Sequence, residues 1–456
     1  MFKDEIYENL VEVVGCERVS RENFELHAYS RDLSPSSPEL SSFVVRPGKT
    51  EEIAEIVRTA NRQKIPIYVR GCGCSHWSAW LPRKGGILFD MTSMDRIIEI
   101  DEKNLIAIVE AGCTWFRLLE ELRKKGLTYL SSEIGGPAMT VGGSVMKAGG
   151  GPYGTCKFGS HGQMDILGFE IVLPTGMIVK TGSWFMPGVI PFRRQAVGPD
   201  LTGVLIGSEG IFGVASKIVL RIRPLPNHEE FLYFNFEDWS DIANVGDAVT
   251  RFVGDELAYG FRANASAVEP GKIAVRIFVF GYEKQIIEFR KKKIRSICMK
   301  NNGTEGDSSN SSGFFAKVVT GLDGIFAQGV WHFSGCGTIP IGEIIKYTEA
   351  WREIIGKHKY EKNTFGAWLF PRGWTISVLF SYSEPEERAK LMNVSEDIDT
   401  KFLEIGLVPS GVGSSKHLQL YLREKCESYY ELIRKLKRCL DPNNILQPGI
   451  LVDQDF

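Results

Sequence analysis

The sequence predicts an α+β chain in three parts, on three observations. Residues 43–125 alternate short apolar strands with amphipathic helices, and residues 130–222 are glycine-rich, short-stranded and poor in charge. From about residue 231 to 405 the strands lengthen and the helices become long and amphipathic, with Pro224 and Pro226 at the junction. A chain of 456 residues leaves each part enough length to bury its own core.

Residues 1–39 read as a helical N-terminal segment, and the first ten carry no apolar run, so no signal peptide is expected. Phe43, Val44 and Val45 are strand-like and lead through the turn Arg46-Pro47-Gly48-Lys49 into a helix. Thr50 is its expected N-cap, Glu51 and Glu52 suit the positive end of the helix dipole, and Ile53, Ile56, Val57 and Ala60 repeat at helical spacing. A strand at 65–69 runs into Arg70-Gly71-Cys72-Gly73-Cys74-Ser75-His76. Strands at 87–89 and 105–109 and a helix at about 115–125 complete the unit. Eight glycines among residues 142–162 exclude a regular helix there, and strands follow at 169–173, 178–180 and 217–222. In the third part a strand at 273–280 and helices at 284–300, 343–357 and 384–405 are expected, with 301–313 as a polar loop. A last helix at 429–440 ends in Asp441-Pro442-Asn443-Asn444-Ile445-Leu446-Gln447-Pro448-Gly449.

Composition excludes several classes of function. Lys plus Arg (54) against Asp plus Glu (56) gives a formal charge of −2, without the basic footprint of a nucleic-acid binder. Nine cysteines, an odd number with no CxxC pair, suit reduced thiols in a cytoplasm better than a disulfide framework. The apolar stretch 365–383 is broken by Pro371, Arg372 and Gly373 and then alternates like a strand, so no transmembrane segment is expected. A cytoplasmic protein follows, with peripheral membrane association only through a partner. Seven histidines show no HxH, HxxxH or HExxH spacing, so no metal site is expected, and no GxSxG elbow occurs. Pro47-Gly48-Lys49-Thr50 resembles the end of a phosphate-binding loop, but Phe43 stands where its first glycine belongs. Gly149-Gly150-Gly151-Pro152-Tyr153-Gly154 matches GxGxxG, yet Pro152, Gly159 and Gly162 forbid the helix a dinucleotide fold needs after it.

Four segments in order carry the chemistry. They are the loop 70–76, where backbone amides of a glycine turn can cradle a pyrophosphate, Pro137-Ala138-Met139-Thr140-Val141-Gly142-Gly143-Ser144, the stretch 149–159, and Ile206-Gly207-Ser208-Glu209-Gly210-Ile211-Phe212-Gly213-Val214. With Tyr29-Ser30-Arg31-Asp32, Val44-Val45-Arg46-Pro47 and the 441–449 tail, they resemble the vanillyl-alcohol oxidase and p-cresol methylhydroxylase superfamily, which includes glycolate oxidase and D-lactate dehydrogenase flavoproteins. The resemblance covers nearly the whole chain. It implies a PCMH-type FAD-binding domain at 40–224 (subdomains 40–126 and 127–224), an α+β cap at 225–405 with an antiparallel sheet, and a C-terminal segment at 406–456 that returns to the flavin.

The resemblance also implies roles. Arg70, Gly71, Cys72, Gly73, Cys74, Ser75 and His76 would form the pyrophosphate loop. Pro137, Thr140, Gly142, Gly143 and Ser144 would line the diphosphate and ribityl chain. Gly149, Gly150, Gly154, Lys157 and Gly159 would pass beside the isoalloxazine. Glu209, Gly210 and Val214 would sit near ribose and adenine, and Asn444 would brace the flavin edge. Covalently flavinylated members carry a histidine where Cys74 stands, and bicovalent members a cysteine where Ala138 stands, so noncovalent FAD is expected, with Cys74 and His76 as the alternative attachment points. The hydroxy-acid branch usually has a Glu-His-Gly stretch and a histidine-rich cap motif, whose counterparts here are Gly411-Val412-Gly413 and the histidine-free 365–383.

Tyr153, Lys157, His161, Arg372, Tyr382, Lys416 and His417 are able to position a substrate or hold a proton. Of these, His161, Arg372, Tyr382 and His417 are the catalytic candidates. Each histidine is also readable as structural, and Arg372 as either an anion holder or a turn residue after Pro371. The expected activity is hydride transfer from an alcohol, 2-hydroxy acid or related small molecule to flavin N5. The alternatives are a 4-alkylphenol or aromatic-alcohol enzyme and an electron-relay subunit working with an iron–sulfur protein or cytochrome. Whether the chain forms a homo-oligomer is left open.

Overall fold

The structure is a computed structural model and describes residues 2–32, 39–75, 80–83, 85–130, 138–149, 165–251, 260–266, 271–320, 330–371, 373–382, 387–410 and 416–453. A first sheet runs in the order Val19–Ser20, Phe43–Val45, Ile87–Asp90, Ile67–Arg70. Its three longer strands are parallel, because the helix Thr50–Gln63 carries the chain back between two of them. That helix buries Ile53, Ile56, Val57 and Ala60, the stripe its spacing predicts. Thr50 is its first residue and not its cap. The Thr50 hydroxyl instead donates to Glu170 Oε1 at 2.8 Å, tying the helix to the second sheet.

The second sheet is antiparallel, in the order Ile97–Asp101, Ile106–Glu110, Val214–Arg221, Ile166–Val172, Ile178–Lys180. Val57, Phe89, Val109, Phe169 and Ile218 belong to one buried cluster, so these two sheets share a core. The C-terminal tail joins them: Ile67 N–H donates to Ile445 O at 2.6 Å, and Gln447 N–H to Ile67 O at 2.8 Å.

An eight-stranded sheet follows, in the order Thr304–Glu305, His228–Phe236, Ile273–Gly281, Gly260–Ser266, Asn363–Phe370, Gly373–Tyr382, Val330–Pro340, Val408–Pro409, with every pairing antiparallel. The helices Trp239–Arg251, Lys284–Lys300, Ile344–His358 and Arg388–Glu404 bury their apolar sides with one face of this sheet. Trp374 shows how tightly. A Cβ on Gly246 would lie 2.2 Å from its indole, so only glycine lets the helix sit on the ring, while its N–H reaches Ile341 O at 3.0 Å. The apolar stretch at 365–383 is therefore two strands of a sheet, and no helix among the described residues is long and apolar enough to cross a membrane.

Two expectations fail in instructive ways. Residues Val141–Met146 form a short helix despite Gly142 and Gly143. Thr140 caps it by accepting from Gly143 N–H, and Gly142 is required by packing, since a Cβ there would meet Ala111 O at 2.6 Å. The polar run 301–313 also gives rise to a helix, Ser309–Thr320, started by Asp307, which accepts from Ser309 N–H at 2.9 Å.

Candidate cofactor cleft

Segments far apart in sequence meet around one open cleft. The loop after strand Ile67–Arg70 contributes Gly71, Cys72, Gly73, Cys74 and Ser75. The start of helix Val141–Met146 contributes Thr140, Gly142, Gly143 and Ser144, and the turn before strand Val214–Arg221 contributes Glu209, Gly210 and Val214. A Cβ on Gly71 would stand 2.2 Å from Thr140 Oγ1, so the Thr140 side chain packs against the loop as it does only because residue 71 is glycine. Glu209 at φ +52° and Gly210 at φ +82° make a tight left-handed turn, anchored by Glu209 N–H to Met146 O at 3.0 Å.

The cleft is amphipathic. Met91, Met139, Met146 and Ala111 supply an apolar wall. Trp80 also lines it, and its indole N–H is buried with no acceptor among the described residues, a group that costs about 1–3 kcal/mol until a ligand accepts from it. An elongated ligand with apolar rings and an acceptor-rich middle fits such a surface, and FAD is one. Arg70 stands behind the loop, its guanidinium 4.4 Å from the Tyr29 ring centroid and 4.8 Å from that of Trp80, with Nη2 donating to Cys72 O at 3.3 Å. It props the loop and is not among the cleft-lining residues.

Sequence reasoning chose Asn444 from the tail, whereas the tail residue lining the cleft is Gln447. Asn444 occupies a left-handed turn position at φ +48° that aims the chain inward. Gln447 is buried and bridges two walls, accepting from Val69 N–H at 3.2 Å and donating to Glu209 O at 3.0 Å. An amide next to Ile445 and Leu446, which must find partners once buried, is the signal that was available. Behind it, Lys437 pairs with Asp441 with both side chains fully buried, and donates to Ile211 O at 2.9 Å and Leu446 O at 2.7 Å. Asp441 in turn accepts Ile445 N–H at 3.0 Å and Leu446 N–H at 2.8 Å. Burial pulls the Lys437 ammonium from its ordinary 10.5 down to about 8, against the pull of Asp441.

Two catalytic candidates lie elsewhere. Tyr382 is in the core between the cap sheet and its helices, because strand alternation puts it on the side of Trp374, Ile376, Val378 and Phe380. His417 lies against helix Arg388–Glu404, with Nε2 2.9 Å from Thr400 Oγ1. Gly149 donates its N–H to Ser144 O at 3.0 Å and does not line the cleft. His76, Pro137, Gly150, Tyr153, Gly154, Lys157, Gly159, His161 and Arg372 lie outside the described residues, as does the side chain of Lys416.

The cap sheet has a second feature, on the face away from those four helices, where the Phe314 ring of helix Ser309–Thr320 packs 4.6 Å from the Arg262 guanidinium and 4.9 Å from that of Arg276. The registers Arg276↔Arg262, Arg262↔Trp368 and Trp368↔Thr375 set these residues in one row across four strands. The Arg262 guanidinium stacks 4.7 Å from the Trp368 ring centroid, and Arg276 Nη1 donates to Asn264 Oδ1 at 2.5 Å. The Thr375 hydroxyl in the row is buried with no partner among the described residues.

Comparison with known proteins follows the same lines. The model for an FAD binding domain matches residues 41–182, and the model for the C-terminal domain of FAD-linked oxidases matches residues 225–451. The glycolate oxidase subunit GlcD of Bacillus subtilis is 26% identical, over 100% of this chain and 98% of its own. The mitochondrial D-lactate dehydrogenase [cytochrome] of Arabidopsis thaliana is also 26% identical, over 90% of this chain and 73% of its own. Among solved structures, p-cresol methylhydroxylase with substrate bound superposes with a TM-score of 0.86 at 19% identity, covering 99% of this chain and 97% of its own.

Proposed function

Because this chain belongs to the FAD-linked oxidases of the vanillyl-alcohol oxidase and p-cresol methylhydroxylase superfamily, we propose that it holds FAD noncovalently in the cleft and dehydrogenates a small alcohol or 2-hydroxy acid. When bound, FAD supplies the two-electron acceptor for a hydride leaving the substrate carbon. The observation that carries this placement is the glycine packing at Gly71 and Gly142, which brings bare backbone from two segments to one cleft wall. The Cys74 N–H is directed at the Cys72 sulfur; the other N–H groups of Gly71–Ser75 and the Trp80 indole would hold the pyrophosphate, and Thr140 and Ser144 would border the chain that follows it. Met91, Met139 and Met146 keep water from the apolar part of the ligand.

The row Arg276, Arg262, Trp368 and Thr375 is the part of the cap that orients substrate. A substrate carboxylate would accept charge-assisted hydrogen bonds from this row, and the Thr375 hydroxyl would gain its missing partner. His161 and Arg372 remain proposed catalytic groups on their sequence position alone, His161 as acceptor of the substrate hydroxyl proton. A phenolate would suit the same arginines, so oxidation of a 4-alkylphenol is the second reading. Electrons then pass to an acceptor protein, an iron–sulfur protein or a cytochrome. Support for a partner comes from the name of the glycolate oxidase relative, which is one subunit of an enzyme.

The test is an absorbance spectrum before and after acid precipitation, then anaerobic bleaching with 2-hydroxy acids and with 4-alkylphenols. Flavin released into the supernatant and bleached by a hydroxy acid is the expected result. Colour kept in the pellet would overturn noncovalent binding, and bleaching by phenols alone would select the second reading. Flavin that neither panel bleaches would favour the electron-relay role.

A further inference from the structure

Cys72 and Cys74 sit on either side of Gly73, which at φ +78° turns the loop sharply. A Cβ on Gly73 would lie 2.3 Å from Arg70 Nη2, so Arg70 and the glycine together hold that turn. Its consequence is that both cysteine side chains project the same way, with their sulfurs 3.1 Å apart in a hydrogen-bonded contact. A disulfide bond is about 2.05 Å long, so the sulfurs need to approach by only about 1 Å to bond. Both cysteines are half-buried and line the cleft.

Their environment differs from that of the buried thiols in this chain. Cys113 and Cys298 are pushed up to about 12 by burial, which leaves them inert. Cys72 is pulled down to about 6 by the Cys74 thiol, by the backbone N–H groups of Cys74 and Thr140 and by the Arg70 guanidinium, against burial. Near neutral pH it is therefore mainly thiolate, with a second thiol in contact, in the loop where the pyrophosphate is proposed to rest.

We propose that Cys72 and Cys74 form a reversible dithiol–disulfide pair that a hydroperoxide closes, and that closing it weakens the hold on FAD. The coupling to FAD rests on placing the cofactor in this cleft. In the first step the Cys72 sulfur attacks one peroxide oxygen and the O–O bond breaks. The departing oxygen takes up a proton and leaves as water or an alcohol, and Cys72 becomes a sulfenic acid. In the second step the Cys74 sulfur attacks Cys72, the S–S bond forms, and the sulfenic oxygen leaves as water with the Cys74 proton. Overall two thiols lose two electrons to one hydroperoxide, giving a disulfide, one water and a second water or alcohol. The Cys72 thiolate accepts from the Cys74 and Thr140 N–H groups, and a disulfide removes that acceptor, so closure changes the loop proposed to hold the pyrophosphate. By linkage, bound FAD protects the thiols by the same factor by which the disulfide weakens FAD.

The experiment treats the full-length holoenzyme with stoichiometric hydrogen peroxide, quenches with catalase, maps the cysteine peptides by mass and measures released FAD by fluorescence. The expected result is an internal Cys72–Cys74 link, FAD binding weakened by about tenfold or more, and recovery of both with a phosphine reductant. Cys74→Ser, compared with itself before and after peroxide, should stop at a sulfenic acid on Cys72 that dimedone traps. Cys72→Ser should give neither link nor trapped acid at this loop. A loop that stays reduced while the exposed Cys16 and Cys439 oxidise would overturn the proposal. A Cys72–Cys74 link with FAD binding unchanged would overturn the coupling. Failure of the cofactor placement reads differently, as undiminished FAD binding in Gly71→Val without any peroxide.

Discussion

Replacing Asp441 with asparagine probes the strongest buried interaction behind the cleft. Asp441 and Lys437 are both fully buried, and the aspartate also accepts two backbone N–H groups from the tail. Asparagine keeps one acceptor, so one of those N–H groups loses its partner and the ammonium loses its counter-charge. Breaking a buried pair from one side costs about 3–5 kcal/mol. Lys437 still donates to Ile211 O and Leu446 O, which places this case near the lower end, at about 3 kcal/mol. The loss falls where three segments join, since Ile211 adjoins the Glu209–Gly210 turn and Leu446 adjoins Gln447. About 3 kcal/mol is roughly two decades in a local opening equilibrium, and FAD should dissociate correspondingly faster. The sign with pH is fixed. Lys437 already sits at about 8 with its carboxylate present, and without it burial pulls it lower still. The Asp441→Asn deficit is then largest at low pH, shrinks as pH rises toward 8 because the variant's lysine goes neutral before the parent's, and levels off above about 8. The assay is urea unfolding with flavin fluorescence from pH 6 to 9, on both single variants and on Asp441→Asn combined with Lys437→Met. The double variant should lose less than the sum of the singles. A deficit under about 1 kcal/mol that does not change with pH would refute the reasoning.

Gly71→Val should abolish FAD retention on gel filtration while the cap still unfolds at its parental denaturant midpoint, because the clash with Thr140 is local. Retained flavin would count against the cradle. Burial raises Asp399 from 3.8 to about 6, against the Gly335 N–H and the Ser334 hydroxyl. Its contribution to stability is thus present below about pH 4 and lost as pH rises through about 6. Asp399→Asn removes that loss, so stability relative to the parent should climb by about 2 kcal/mol between pH 4 and 6, and a flat difference in urea midpoints would sink the assignment. Arg262→Leu should raise KM for an anionic substrate by about tenfold or more, one charge-assisted hydrogen bond, and leave a neutral alcohol nearly unaffected. Equal effects on both would remove the row from substrate binding.

Much of this protein is determined by local sequence. The stripe Ile53, Ile56, Val57 and Ala60 is buried as its spacing demands, the helix Lys284–Lys300 has the bounds its amphipathic pattern predicts, and the glycine segments mark where bare backbone is needed. The glycine motifs in their order sufficed to recognise the family by resemblance, because a cradle built of backbone amides leaves its record as glycines at fixed intervals. What only the tertiary structure decided depends on partners distant in the chain. Gly142 lies in a helix because Thr140 caps it and Ala111 leaves no room for a side chain, neither of which a glycine count reveals. Gln447 and not Asn444 reaches the cleft, because left-handed residues around it choose which side chain turns inward. Tyr382 is in the core and His417, on the C-terminal helix Lys416–Lys425, packs against cap helix Arg388–Glu404, because the register of a strand and the docking of a helix set side-chain direction. Arg262 and Arg276 meet on consecutive strands, but Trp368 joins their row only because strand Gly260–Ser266 pairs with the distant strand Asn363–Phe370. Periodicity says which face of an element is buried, and long-range pairing says what that face meets.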